Sequence, residues 1–156
     1  MSTGPSLIKE FTNLSLSAMS DTQALTLIHD VGQAAGLIKP SWLEAALTRE
    51  ASSPTGLPTS IPVAIPHTDA EHCYQNGIGF FKLTKPVEFG EMGSLDRKVS
   101  VQLIIPLLIT EPKAQLPLLM SVINLVQDQN KLAELNKLST EAEISTFFSQ
   151  HLVPSI

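Results

Sequence analysis

Residues 61–73 read IPVAIPHTDAEHC, and the layout of the whole chain follows from this stretch. Val63, Ala64 and Ile65 make a short apolar run of the strand kind, which stops at Pro66. Proline lacks a backbone N–H and fixes φ at about −65°, so a hydrogen-bonded ladder cannot easily continue through it. His67 is therefore expected just past a strand end, where loop residues are held by a rigid scaffold. Thr68, Asp69, Glu71 and His72 follow at once. The expectation is an exposed, reactive imidazole with the rest of the chain as its mount.

Upstream, Ser20 and Asp21 offer a helix N-cap. Ala24, Leu25, Ile28, Val31 and Ala35 keep the spacing of an amphipathic helix, and Gly36 is a natural stop. A second helix starts near Pro40-Ser41 and carries Trp42, Ala45, Ala46 and Arg49 along one stripe. Residues 1–17 suggest only a short first strand around Leu7, Ile8, Phe11, Leu14 and Leu16. Between the second helix and Val63 lies the irregular segment ASSPTGLPTS.

Downstream, Ile78 to Leu83 is a strand. Pro86 to Phe89 is a separate extended piece leading into a Gly90/Gly93 turn. Val99 to Ile109 starts with alternation and becomes continuously apolar, as a central strand covered on both faces does, and Pro106 marks its bulge or its end. Leu116, Leu119, Val122, Ile123 and Val126 keep helical spacing, with Pro112 and Pro117 before the helix or in its first turn. Leu132, Leu135 and Leu138 suggest a short helix. Thr140 with Glu143 matches a capping box for a last one. Helices, then strands, then helices imply an α/β sandwich with one central mixed sheet flanked by helices, in a single domain over residues 1–156.

The composition narrows the function. Of 156 residues, 43% are hydrophobic and 16% charged, a globular rather than disordered balance. The formal net charge is −5 and no basic block is interleaved with aromatics, so nucleic acid is not an expected partner. A lone cysteine, Cys73, fits a reducing cytosol and excludes an internal disulfide. Leu103 to Ile109 is too short to span a bilayer, and MSTGPSLIKEF lacks a secretion signal. A cytoplasmic protein without membrane insertion is expected.

His67 is the sharpest chemical candidate, because an imidazole with an ordinary pKa near 6.5 is largely neutral at pH 7 and its free ring nitrogen is a nucleophile. A loop histidine that merely hydrogen-bonds its neighbours fits the spacing too. Arg49 is either a compensating charge at a helix C-terminus or a planar fork aimed at an anion near His67. Asp69, Glu71 and His72 beside His67 lack the spacing of a zinc motif, so neither metal nor cofactor is expected. Cys73 reads as a small apolar filler rather than a nucleophile paired with His67. His29 and His151 read as structural or solvated. No Gly-rich phosphate loop and no GxSxG elbow is present.

The assembly REASSPTGLPTSIPVAIPHTDAEH, from Arg49 to His72, resembles the EIIA domains of the fructose/mannitol superfamily of the bacterial sugar phosphotransferase system. Those domains share an Arg-Glu, a Thr-Gly in the following loop, and a hydrophobic-Ala-Ile-Pro-His that ends in the phosphorylated histidine. IPHTDAEH, PVEFGEMG and QLPLLMSVINLVQD followed by LAELNKL make the chain most similar to the galactitol-type branch, over about residues 22–152. The resemblance implies a phosphocarrier. His67 would accept a phosphoryl group from the phosphocarrier HPr and pass it to a cysteine of the cognate EIIB, serving uptake of a galactitol-like polyol. It implies Arg49 as the phosphate-facing arginine, and Thr55 of the shared Thr-Gly and Gln115 are further candidates for the phosphate site; His72 is a candidate only as the one histidine close to His67 in sequence. Gln115 stands where many mannitol- and fructose-type members carry a second histidine, and an amide can donate a hydrogen bond but carry no proton. A regulatory EIIA relative, whose phosphorylation state controls a partner, is the alternative. A hydrolase with a metal on His67, Asp69, Glu71 and His72 is a third reading.

Overall fold

A computed structural model describes residues 6–152. The part of the N-terminal segment that falls on residues 1–5 lies outside it. Among the described residues six strands form one mixed sheet: β1 (Leu7–Leu16), β2 (Gly56–Leu57), β3 (Val63–Ala64), β4 (Gly77–Gly90), β5 (Lys98–Ile104) and β6 (Leu107–Leu108). The order is β1-β4-β5-β3-β2, with β6 pairing beside β4. Strands β1 and β4 run parallel, as do β3 and β5, while β4–β5, β4–β6 and β2–β3 are antiparallel.

The sheet is covered, among the same described residues, by α1 (Asp21–Ala34), α2 (Trp42–Ser52), α3 (Gln115–Gln127), α4 (Gln129–Lys137) and α5 (Glu141–His151). Alternation along the strands sorts their side chains into two cores. Val63, Ile65, Ile78, Phe80 and Leu103 pack with Leu118, Val122, Leu135 and Phe148 of α3, α4 and α5. Ala64, Phe81, Val101 and Ile104 pack instead with Leu25, Ile28, Trp42 and Ala46 of α1 and α2. Each fully buried Phe or Leu stabilises by roughly 1.5–3 kcal/mol, so the strands that carry the site are pinned from both faces.

The local signals mostly act as expected. The Ser20 hydroxyl accepts from Gln23 N–H at 3.1 Å and caps α1. Gly36 turns the chain at φ 75° after it. Pro117 lies in the first turn of α3, and Pro112 opens the 3-10 turn Pro112–Ala114 before it. Thr140 and Glu143 form a complete capping box on α5. Two expectations change. The pieces at Ile78–Leu83 and Pro86–Phe89 are one strand, β4, because Pro86 falls in an exposed stretch where the β4–β5 register shifts between Lys82 and Val87, so its missing N–H leaves no gap in the ladder. Residues 7–16 form a ten-residue strand parallel to β4 rather than a short one.

Candidate active site

His67 is carried by the continuation of β3. Ala64 O accepts from Ile105 N–H at 2.9 Å and Pro66 O from Leu107 N–H at 3.0 Å. A single parallel bridge joins His67 to Leu107. The strand proper thus ends before Pro66, and the histidine stands just beyond, held by β5 and β6.

The imidazole is not exposed, contrary to the sequence expectation: His67 is only 6% accessible. It lies in a pocket of about 460 Å³ walled by Arg49, Ser52 and Ser53 from the end of α2, Pro54 and Thr55, Met92 to Leu95, and Leu119 of α3. These walls come from three stretches, 49–55, 92–95 and Leu119, and nothing near His67 in sequence announces the last two. Met92 N–H donates to Gly56 O at 2.7 Å, which fastens the 92–95 wall beside the β2 strand. Gly56 is needed for this approach, since a Cβ there would sit 2.5 Å from the carbonyl oxygen of Gly90.

Ring chemistry is set by a short-range contact. The His67 Nδ1 lies 2.9 Å from Ile65 O. A carbonyl only accepts, so Nδ1 carries the hydrogen and Nε2 keeps its lone pair. Burial pushes the His67 pKa below its ordinary value. The Ile65 hydrogen bond opposes that shift, the Arg49 charge adds to it, and Asp69 works against it. The neutral, Nε2-nucleophilic form is thereby favoured.

Arg49 is half-buried, with its side chain 31% exposed, and Nη2 donates to Asp69 Oδ1 at 2.5 Å. It borders the His67 pocket and also a larger groove of about 540 Å³ that includes Ser41, Glu44, Asp69 and His72. The four candidate metal ligands diverge. Asp69 turns to Arg49, His72 Nδ1 meets Ser41 Oγ at 2.8 Å, and Glu71 lies 3.9 Å from His72 Nε2. His72 therefore sits in the groove beyond the Arg49–Asp69 pair and does not line the pocket of His67.

Thr55 does line that pocket, but its hydroxyl is committed elsewhere. It donates to Glu50 at 3.0 Å and accepts from Ile65 N–H at 3.1 Å. Gln115 is the first residue of α3, and the residue that reaches the pocket from this helix is Leu119, one turn on. Cys73 is buried, and burial pushes its thiol pKa up, as for a packed filler. Sequence reasoning missed Glu50 and Asp69 as partners of Thr55 and Arg49. Glu50 directly follows Arg49, and a carboxylate at that place in a half-apolar helix was the available signal.

A doubly flanked mixed sheet thus presents, just past a strand end, a buried histidine whose Nδ1 is held by a carbonyl and whose pocket is bordered by an arginine. The chain belongs to the family described as "Phosphoenolpyruvate-dependent sugar phosphotransferase system, EIIA 2", whose model matches residues 6–151. It is 29% identical over 146 residues to the galactitol-specific EIIA component of Escherichia coli strain K12, covering 93% of this chain and 96% of that protein. The nitrogen regulatory protein IIA-Ntr of Neisseria meningitidis superposes with a TM-score of 0.71 at 21% identity, over 90% of this chain and 94% of that one. The EIIA chain in the complex of enzyme IIAMtl with phosphorylated enzyme IIBMtl from Escherichia coli superposes at 0.68 with 19% identity, over 90% and 95%. Among the described residues no helix is long and apolar enough to cross a membrane.

Proposed function

We propose that this chain is the cytoplasmic phosphocarrier of a sugar phosphotransferase system, acting as a single EIIA unit over residues 1–156. It takes a phosphoryl group from phospho-HPr onto Nε2 of His67 and hands it to a cysteine of the cognate EIIB, for uptake of a galactitol-like polyol. In the first step the P–N bond to the donor histidine breaks as the P–Nε2 bond forms. In the second the P–Nε2 bond breaks as a P–S bond forms. The observation that carries this reading is the 2.9 Å contact between His67 Nδ1 and Ile65 O, which leaves Nε2 as the nucleophile beside Arg49. Family membership and the full-length similarity to a galactitol-specific component support it.

Phosphoryl transfer passes through a loose transition state, so the protein mainly positions groups and neutralises oxygens. Arg49 supplies a planar donor fork for two phosphoryl oxygens once it shares or leaves Asp69. Thr55 acts by holding the strand that bears His67. His72 steadies the adjoining groove through Ser41, and Gln115 lends an amide at the α3 start. No metal or cofactor enters the chemistry. Leu95 at the pocket is 76% exposed, and Leu116 and Met120 are exposed on α3, the helix whose Leu119 lines the pocket; these apolar side chains are where HPr and EIIB would dock weakly in turn. Incubation with phosphoenolpyruvate, EI and HPr, followed by transfer to purified galactitol-type EIIB, tests the reading. Uptake without onward transfer to any EIIB would favour the regulatory alternative.

A further inference from the structure

We propose that Glu50 is a positioning residue for His67, acting through Thr55 and Ile65. Glu50 is 7% exposed, and a carboxylate buried that far is costly unless its oxygens are hydrogen-bonded. Both of its oxygens go to one residue. Thr55 N–H donates to Oε1 at 2.7 Å, and the Thr55 hydroxyl lies 3.0 Å from Oε1 and from Oε2. The same hydroxyl oxygen accepts from Ile65 N–H at 3.1 Å, and Ile65 O accepts from His67 Nδ1–H at 2.9 Å. Three links thus run from α2 to the imidazole.

The direction of each link is forced. Ile65 N–H can only donate, so the hydroxyl must present a lone pair to it and spend its own hydrogen on Glu50. Without Glu50 nothing fixes that hydrogen, and the hydroxyl is free to rotate away from Ile65. Pro66 then matters for transmission. Its fixed φ leaves little slack between Ile65 and His67, so a shift at Ile65 reaches the ring instead of being absorbed. Glu50 thereby helps hold the Ile65 carbonyl on Nδ1, and with it the tautomer that leaves Nε2 nucleophilic. The inference rests on the phosphocarrier reading only for its consequence on rate, since the tautomer exists without any phosphoryl group.

The test is a long-range proton–nitrogen correlation spectrum of the unphosphorylated protein labelled in histidine, at about pH 8, with uptake rates from phospho-HPr measured beside it. Wild type should show His67 as the Nδ1–H tautomer. Glu50→Ala and Thr55→Val should shift it toward a mixture and slow uptake about tenfold. Glu50→Gln and Thr55→Ser keep an acceptor and a hydroxyl, and should restore both readouts. If Glu50→Ala does not fold, Thr55→Val against Thr55→Ser carries the same comparison. An unchanged tautomer in folded Glu50→Ala or Thr55→Val overturns the proposal. Wild-type protein that shows the tautomer and its shifts but takes up no phosphoryl group would instead overturn the phosphocarrier reading and leave the brace standing.

Discussion

Arg49 Nη2 donates to Oδ1 of Asp69 at 2.5 Å, so the fork that should meet an anion is already partnered in the unphosphorylated protein. An arriving phosphoryl group must share it or compete for it. Arg49→Lys keeps the charge but loses the planar, bidentate geometry, and should slow uptake from phospho-HPr by about tenfold or more. The melting temperature should hardly move, because a largely solvated pair contributes on the order of 0–1 kcal/mol. An unchanged rate with a lowered melting temperature would assign Arg49 to the helix end alone.

Gln115 offers a milder effect. Leu119, not Gln115, borders the pocket of His67. Gln115→Ala should therefore slow uptake by less than about tenfold, below the loss of one good hydrogen bond of roughly 1 kcal/mol or more. Stopped-flow or quenched uptake assays on the variant settle this, and a loss as deep as that of Arg49→Lys would put the amide on the phosphate itself.

The imidazole of His67 should titrate low. Burial lowers its pKa from 6.5, so the ring stays neutral as pH falls through the usual histidine range. The His67 Cε1–H proton resonance, followed by NMR, should show a midpoint below 6.5. A midpoint at or above 6.5 would contradict a ring buried without compensation. The stability this shift confers has a definite sign. It is present above pH 6.5, where the unfolded histidine is neutral too, and it is withdrawn as a penalty on acidification through the folded pKa.

Glu50 pulls the other way. Burial raises its carboxyl to about 7 from 4.5, more than the Thr55 bonds lower it, with a small further push from Asp21. Between those pH values the folded state binds more protons than the unfolded state, so stability declines as pH rises through about 7. Glu50→Gln removes this titration. Urea unfolding at about pH 5 and about pH 8 should show the variant gaining on wild type by up to about 3 kcal/mol at the higher pH. A difference between the two proteins that does not vary with pH would contradict the raised carboxyl.

Local chemistry made much of this fold legible. Pro66 marked the strand end, Ser20 and Thr140 marked helix starts, and the apolar run from Val99 marked the central strand β5, which ends at Ile104 before Pro106, while Leu107–Leu108 pairs with β4 as β6. Pro86 misled because a proline is harmless where a strand bulges, and register shifts are a property of the pair rather than of one segment. The candidate site was legible at its centre and not at its walls. His67 and Arg49 announced themselves by residue type and position. His67 is walled in by Met92 to Leu95 and Leu119, which reach it through the link from Gly56 of β2 to Glu91 and Met92 and through the packing of α3 against the sheet. Glu50 and Thr55 are five residues apart in sequence, yet their bond acquires meaning only when Ile65 closes the chain of contacts.

In the proposed relay His67 is the residue that takes up the phosphoryl group. Purified protein treated with EI, HPr and phosphoenolpyruvate should gain one phosphoryl group by intact mass, in a linkage that is lost in acid and survives base. His67→Ala should gain none while keeping a cooperative melting transition. Full labelling of His67→Ala would place the phosphoryl group elsewhere and contradict the account.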